Sequence, residues 1–456
     1  MRLAITLAVL VPAFVLLVHV GLWSQGEWHD EYYGFGSYRL AGLGGELIRL
    51  RHWSPRPVSE LLIFFYWLAV RAFRMPLVVP ALAAAWGTLG IGLLAAARPW
   101  ARPGRAARLA LVLTLPALFL LAAPVGELFY WPFAALAYLP ALSAACYAAL
   151  ALVGPGLRDR NGWVALAVAL SLGAGSVEVG AFLALATAPG LLLAARHGQG
   201  GSSRLRIGAA LAPLLSASTV ILLLLSGRVA RAAEMFGSPA LFHHLGRDLW
   251  SAAGQSVSEL LHPDGGSILA AASVKLLVFL GARACLRRAW PAPPPRAPII
   301  ALLVGLAATI FLSIAGAYYN FGTLCCERHA TYRQALFLLM AAVSAGLARP
   351  ARASAWGPAL LASAVLIYLP SRLPAVRTEY SLAHARGAAW KAIFRSGWQP
   401  GPAPIDYAIA PAGPLFTYAL CPPGIYRRTQ DTPSNVLGPM LFFGKDNMRV
   451  RMEPPK

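Results

Sequence analysis

The sequence has few charged residues for its length. Only 12% of its 456 residues are Asp, Glu, Lys or Arg, and 58% are hydrophobic. Soluble domains are about 25% charged. A soluble fold of this size has too little polar side-chain surface to cover so much apolar material, whereas lipid solvates apolar surface directly. The composition therefore excludes an ordinary soluble protein and predicts an integral membrane protein.

Several motifs are also missing. No glycine-rich phosphate-binding loop and no C-x-x-C metal knuckle is present, and no internal repeat is evident. These absences argue against a nucleotide-sugar site and a zinc site. Among the five cysteines, Cys146 is predicted to lie in the core and Cys285 on the cytoplasmic side. A disulfide from Cys325 or Cys326 to Cys421 is one alternative, and unpaired thiols are the other.

The net charge of +21 does not indicate nucleic-acid binding, because the basic residues form short clusters between apolar runs. One such cluster comprises Arg98, Arg102, Arg105 and Arg108. This pattern is typical of cytoplasmic loops between membrane-spanning helices, whereas a nucleic-acid-binding domain carries a basic stripe on a polar surface. We therefore expect the lipid bilayer as a partner and no nucleic acid.

Apolar runs predict an all-α polytopic protein with about eleven membrane-spanning helices. The runs are 3–23, 77–97, 109–126, 131–153, 163–175, 178–195, 207–226, 267–284, 298–317, 331–348 and 355–370. Basic loops between them place the N-terminus in the cytoplasm and the C-terminus outside. Residues 59–73 are predicted to form an interfacial or re-entrant helix; if they span instead, the count is about twelve.

This topology divides the chain into a transmembrane domain, 1–370, and an extracytoplasmic α+β appendage, 371–456. The transmembrane domain carries a long first extracytoplasmic loop, 24–58. Within the appendage, the spacing of apolar residues predicts a helix over 379–396 and short strands at 405–411 and 438–444.

Polar residues that could carry chemistry gather on the predicted outer side. His29, Asp30 and Glu31 follow the first helix, where they form either a solvated surface loop or a general base or metal-holding group. Glu178 and Glu127 adjoin apolar runs, where a carboxylate is costly unless it has a role or reaches water.

A second group combines arginines with other polar residues. Arginine is disfavoured in extracytoplasmic loops, so Arg56, Arg328 and Arg333, which are predicted to lie in such loops, need a local partner. The alternatives are a ligand phosphate, which fits the guanidinium fork, and an internal ion pair, with Glu327 as the partner of Arg328. His329 lies next to Arg328, in the same segment as Arg333.

The layout resembles that of GT-C glycosyltransferases, in particular the bacterial members. The resemblance covers the whole chain: one helix, a long outer loop that opens with an acidic pair, many helices, and an outer C-terminal appendage. The short motifs that carry it are Asp30 and Glu31, Arg56, the FYW stretch Phe129–Trp131 with Tyr138, and Glu178 in GSVE.

The resemblance implies a lipid-linked donor, usually a polyprenyl phosphate sugar. It assigns the base, or a metal-holding role, to Asp30, with Glu31 as the alternative. The sequence leaves metal dependence open: a divalent cation, Mg²⁺ or Mn²⁺, is one alternative, and Asp30 and Glu178 would then hold it. Arg56, Arg328 and Arg333 would contact the donor phosphate, and Glu127, Trp131, Tyr138, Glu327 and His329 are further site candidates.

The expected function is transfer of a sugar to an extracytoplasmic glycan, lipid or protein, in envelope assembly at a bacterial inner membrane. The rival interpretation is a transporter or flippase of a lipid-linked sugar, which would use similar charged residues. Transporters often show repeated halves, and no repeat is evident here.

Overall fold

The computed structural model describes most of the chain. The described residues are 2–23, 29–52, 54–97, 105–121, 126–197, 201–226, 245–261, 267–289, 296–321, 324, 326–348, 356–409, 413, 422–429 and 431–452. Within them the protein is predominantly helical, and a small sheet lies near the C-terminus. The all-α prediction is confirmed at this level.

Sixteen α-helices and three strands are described. The helices are α1 Arg2–Trp23, α2 His29–Ala41, α3 Leu43–His52, α4 Pro57–Phe73, α5 Val78–Ala97, α6 Arg105–Leu121, α7 Pro132–Val153, α8 Arg160–Ser176, α9 Glu178–His197, α10 Ser203–Ser226, α11 Leu245–Leu261, α12 Ile268–Ala289, α13 Arg296–Phe321, α14 Glu327–Ser344, α15 Gly357–Gly397 and α16 Ser434–Phe443. The strands are β1 Ile405–Ile409, β2 Gly424–Arg427 and β3 Asn447–Met452. A π-helical turn, Gly126–Tyr130, precedes α7.

Eight of the described helices are long and apolar enough to cross a membrane. They are α5, α7, α9, α10, α12, α13, α14 and α15. Two shorter apolar stretches, Leu10–His19 in α1 and Leu109–Leu121 in α6, fall below that length. A multi-pass membrane protein is therefore supported, and the larger count of about eleven spans stays a prediction.

Helix α7 forms the centre of the bundle. Every residue of α7 except Pro140 is buried, as expected for a helix that is apolar on all sides. Helices α5, α8, α9 and α14 pack around it. Small residues allow close approach: a Cβ at Gly92 would lie 2.1 Å from Oγ of Ser143, and one at Gly173 would lie 2.8 Å from Cβ of Ala144.

One end of this bundle, which we call the site end, carries the first residues of α7, α9 and α14 and the last residues of α8. Helix α4 lies across this end. Near its start, Val58 would meet a Cβ at Gly175, the penultimate residue of α8, at 2.6 Å. Further along, the Tyr66 ring lies 6.4 Å from that of Phe133, at the start of α7. The structure thus confirms a helix at 59–73, and its interfacial or re-entrant placement stays a prediction.

The predicted outer loop, 24–58, contains two helices, α2 and α3, in its described part. Helix α2 packs against the C-terminal segment: the buried Tyr32 ring lies 5.9 Å from Phe442 and 6.1 Å from Phe443. A Cβ at Gly36 would lie 2.6 Å from Cβ of Leu441. The C-terminal appendage therefore covers α2 at the site end.

The C-terminal segment differs in two ways from the sequence prediction. The predicted boundary at 370 falls inside α15, whose 41 residues include Pro370, Pro374 and the whole of the predicted helix 379–396. Strand β1, Ile405–Ile409, confirms the strand predicted at 405–411 over its described part. Strand β3 lies between β1 and β2, parallel to β1 and antiparallel to β2.

The predicted strand at 438–444 is wrong, because these residues form most of α16 and its C-cap. Val436, Met440 and Phe443 are buried at helical spacing, and they belong to one apolar core. Gly444, with φ of 66°, ends the helix in the left-handed conformation that glycine adopts most readily.

Cys146 is buried in the core, as the sequence predicts. Cys285 is also buried, and its cytoplasmic location stays a prediction. Cys326 is disulfide-bonded. Cys325 and Cys421 lie outside the described residues, so the identity of its partner in the predicted bridge stays a prediction.

Candidate functional site

Three arginine–glutamate ion pairs at the site end form the arginine–glutamate cluster. The first joins Arg56, just before α4, to Glu178, the first residue of α9. Arg56 donates from Nε to both carboxylate oxygens at 2.9 Å. Burial disfavours the charged form of Arg56, but the Glu178 carboxylate opposes that effect, and the pKa of Arg56 lies above its usual value.

The second pair joins Arg328, in the first turn of α14, to Glu127 in the π-helical turn. Arg328 donates to Oε2 of Glu127 from Nη1 at 2.9 Å and from its backbone N–H at 3.2 Å. Its guanidinium also lies over the Trp131 ring, 5.3 Å from the centroid. Arg328 is thus fixed by a charge and an aromatic face. Its partner is Glu127, so the Glu327 pair considered from sequence is wrong.

The third pair is the most buried of the three. Arg333 donates from Nε and Nη2 to the two oxygens of Glu259, both at 2.6 Å. The side chains are 3% and 9% exposed. Gln334 donates to the Glu259 backbone carbonyl at 3.2 Å. This bidentate geometry ties α11 to α14.

Tyr138 and His329 lie between these arginines. The Arg56 guanidinium is 5.7 Å from the Tyr138 ring centroid, and the His329 ring is 5.5 Å from it. The charges of Arg56, Arg328 and Arg333 all act on His329. The structure therefore brings together five residues that the sequence singled out in three separate segments: Arg56, Tyr138, and the neighbouring Arg328, His329 and Arg333.

Several polar atoms at this centre are buried and make no hydrogen bond to any described residue. They are Nδ1 and Nε2 of His329, Oη of Tyr138, Oη of Tyr332 and Nη1 of Arg333. The Arg328 charge acts on the Tyr138 hydroxyl, but without a well-aligned hydrogen bond. Buried polar groups normally have partners, so a concentration of unpaired ones indicates a site for a polar ligand or water.

A second polar group, the α2–α4 group, lies beside the cluster. Glu60 accepts hydrogen bonds from the Tyr38 hydroxyl at 3.1 Å and from Arg49 Nε at 2.9 Å. Glu46 is 6% exposed, and it interacts with Tyr38, Arg49 and Glu60. Burial, followed by repulsion from Glu60, raises the pKa of Glu46 to about 7.

The remaining predicted residues are placed as follows. His29, Asp30 and Glu31 begin α2, and their side chains lie outside what the structure describes. Glu327 is close enough to Glu127 for their charges to interact. Among the described residues, no group of three or more His, Cys, Asp or Glu side chains is arranged to hold a metal ion. The Asp30 side chain lies outside what the structure describes, so the alternative of an Mg²⁺ or Mn²⁺ ion held by Asp30 and Glu178 stays untested.

Sequence reasoning missed Glu259, Glu60, Arg49 and Glu46. Glu60 and Glu259 each stand in a mainly apolar helix, at S-E-L-L in both cases. An acidic residue in such a setting requires a buried partner, and this signal was available. Their arginine partners are not adjacent in sequence, so the sequence does not show which arginine each glutamate pairs with.

Comparison of the chain with protein-family models, with curated proteins and with solved structures finds no match.

Proposed function

We propose that this protein is a membrane glycosyltransferase of GT-C type, which moves a sugar from a polyprenyl-phosphate donor to an extracytoplasmic acceptor in envelope glycan or glycolipid assembly. One observation carries the proposal. Buried polar atoms of His329, Tyr332 and Arg333 without described hydrogen-bond partners lie at the centre of the arginine–glutamate cluster, where three guanidinium groups act on His329. Phosphate oxygens would supply the missing acceptors for such donors.

The geometry of the ion pairs favours phosphate binding. Arg56 engages Glu178 through Nε, and Arg333 engages Glu259 through Nε and Nη2, which leaves Nη1 of Arg333 without a described partner. The glutamates therefore hold the guanidinium planes while further N–H donors remain. Preorganised donors of this kind stabilise charge that develops during a reaction.

The chemistry of transfer needs both a leaving group and a base. The bond between the sugar C1 and the phosphate oxygen breaks, and the polyprenyl phosphate leaves with the bonding electrons. Arg56 and Arg328 would stabilise the charge that grows on this phosphate. Asp30, or Glu31 as the alternative, would accept the proton of the acceptor hydroxyl as its oxygen bonds to C1. A divalent cation, where bound, would help to orient the phosphate.

The proposal includes a location. Short basic loops favour a bacterial inner membrane protein with about eleven spans, a cytoplasmic N-terminus and an extracytoplasmic C-terminus. The site end then faces outward, where the donor's lipid tail stays in the bilayer and its phosphate reaches the surface. The partners are the bilayer, the lipid-linked donor and a glycan, lipid or protein acceptor.

Binding of a polyprenyl phosphate to purified protein tests the role of Arg328. We expect Arg328→Ala to lose about ten- to a hundredfold in affinity, because a charge-assisted hydrogen bond contributes about 1.5–3 kcal/mol. Arg328→Lys should keep part of it, since lysine retains the charge but not the fork. Arg160→Ala, at the opposite end of the bundle, is the matched control.

Thermal stability of the same variants separates ligand binding from structure. Loss of the Glu127 ion pair alone would lower the stability of Glu127→Gln and Arg328→Ala alike, with no selective effect on affinity. Unchanged affinity in both Arg328→Ala and Arg56→Ala would contradict the proposed phosphate site.

A further inference from the structure

A cationic cavity lies between α4 and the C-terminal appendage, and none of its lining residues belongs to the arginine–glutamate cluster. Its volume is about 200 Å³, and it is lined by Arg39, Trp67, Arg71, Arg74, Trp398 and Phe442. No carboxylate lines it. We call it the three-arginine pocket.

The three arginines of this pocket differ from those of the cluster in their partners. None of Arg39, Arg71 and Arg74 forms an ion pair with a carboxylate in the described ranges of the chain. Arg71 lies over the Trp67 ring at 5.4 Å, and Arg74 lies over the Trp398 ring at 5.6 Å. Aromatic faces orient guanidinium groups without neutralising them. The pocket therefore keeps its positive charge.

Hydrogen-bond donors in the walls also lack acceptors. The indole N–H groups of Trp67 and Trp398 are buried and have no acceptor among the described residues. Trp67 is only 2% exposed, so bulk water is not available as an acceptor for its indole N–H group. Buried donors without acceptors in a cationic cavity call for an anion that accepts hydrogen bonds.

The backbone is shaped to hold two of the arginines. Arg39 donates from Nη1 to the Phe442 carbonyl at 2.7 Å, and a Cβ at Gly444 would lie 2.3 Å from its Nη2. Arg74 ends α4 with φ of 54°, a left-handed backbone conformation that residues other than glycine rarely adopt. Such strain persists where surrounding structure imposes it, often at binding sites.

Exposed apolar side chains adjoin the pocket arginines in the chain. Leu40 and Phe73, which adjoin Arg39 and Arg74 in the chain, are each 69% exposed, and Met75 is 50% exposed. Exposed apolar side chains next to a cationic pocket fit a ligand with a charged head and a hydrocarbon tail. Helix α4, which lies across the site end, would present these apolar side chains to the membrane surface.

We infer that the three-arginine pocket binds the phosphate headgroup of an anionic membrane lipid, separately from the donor phosphate at the arginine–glutamate cluster. The guanidinium groups and indole N–H groups would donate to the phosphate oxygens, and the acyl chains would lie over Leu40 and Phe73. Lipid bound there would hold α4 against the appendage, since Trp398 and Phe442 belong to the latter.

Native mass spectrometry of the delipidated full-length protein, titrated with phosphatidylglycerol, tests this inference. The Arg39→Gln, Arg71→Gln and Arg74→Gln triple variant should weaken the tightest lipid-binding event by at least about tenfold. Gly444→Ala should weaken it as well, because the added methyl displaces Arg39. The matched control is Arg449→Gln, which removes one exposed charge from β3.

Other ligands and variants identify the source of the phosphate. We expect phosphatidylcholine and inorganic phosphate each to bind more weakly than phosphatidylglycerol, and Arg56→Ala to leave the lipid affinity unchanged. Equal binding of inorganic phosphate would overturn the lipid assignment. An equal loss in Arg449→Gln, or no loss in the triple variant, would overturn the site itself. Because Arg56 belongs only to the donor site, these results are independent of the proposed transferase activity.

Discussion

The buried carboxyl of Glu46 should make the protein less stable as pH rises. Its ordinary pKa of 4.5 is raised to about 7 by burial and then by Glu60. Between these values the folded state binds a proton that the unfolded state has released. Stability due to this group is therefore intact below about pH 4.5 and falls progressively up to about pH 7.

The raised pKa sets the size of the effect. A displacement from 4.5 to about 7 corresponds to about 3 kcal/mol of destabilisation above pH 7. Glu46→Gln keeps the shape but removes the charge. We expect this variant to exceed the wild type in stability by up to about 3 kcal/mol at pH 8, and by little at pH 4.

Denaturant unfolding in detergent, at pH 4, 6 and 8, measures this difference. The control is Asp446→Asn, because the Asp446 side chain is 75% exposed and its removal should have little pH-dependent effect. A wild type that matches Glu46→Gln at pH 8 would refute the reasoning, since Glu46 would then carry its charge there without cost.

Three further predictions concern the pairs, the base and the topology. Arg333→Met should lower the free energy of unfolding by about 3–5 kcal/mol, because it leaves the Glu259 charge buried, whereas Arg333→Met with Glu259→Met should recover most of it; a double variant no more stable than the single one in denaturant unfolding would contradict this. Asp30→Asn should abolish sugar transfer in a turnover assay and leave the protein folded. Full activity of this variant would assign the base to Glu31, and full activity of a variant with both carboxylates substituted would exclude Asp30 and Glu31 as the base. A reporter that is fused after Lys456 should be active only if its activity requires an extracytoplasmic location. Activity of a reporter that works only in the cytoplasm would contradict the predicted topology.

Much of the helical framework was predictable because its signal is local. Runs of apolar residues and the basic loops between them predicted helices such as α7 and α10 within a few residues of their observed ends. The helix over 59–73 was also predictable, and its interfacial placement stays a prediction, which depends on keeping the basic residues of 98–108 in the cytoplasm. The strand predicted at 438–444 failed because contacts with α2 select the helix, and α2 is distant in sequence.

The candidate site was predictable in its residues but less so in its partners. Arg56 and Glu178 were both expected on one side of the membrane, and the structure joins them at 2.9 Å. Arg328 was given the neighbouring Glu327, whereas it pairs with Glu127, about two hundred residues away in the chain. Long-range pairing depends on how helices pack, and the sequence contains no local record of it.

Turnover of a polyprenyl phosphate sugar tests the central claim most directly. Protein in lipid vesicles is given the donor with a labelled sugar and an acceptor hydroxyl compound, and the fate of the label is followed. The account predicts that the sugar moves to the acceptor, that free polyprenyl phosphate appears in equal amount, and that Arg56→Ala and Arg328→Ala abolish both. Passage of the donor across the bilayer with the sugar still attached, and no release of polyprenyl phosphate, would contradict it and identify a transporter.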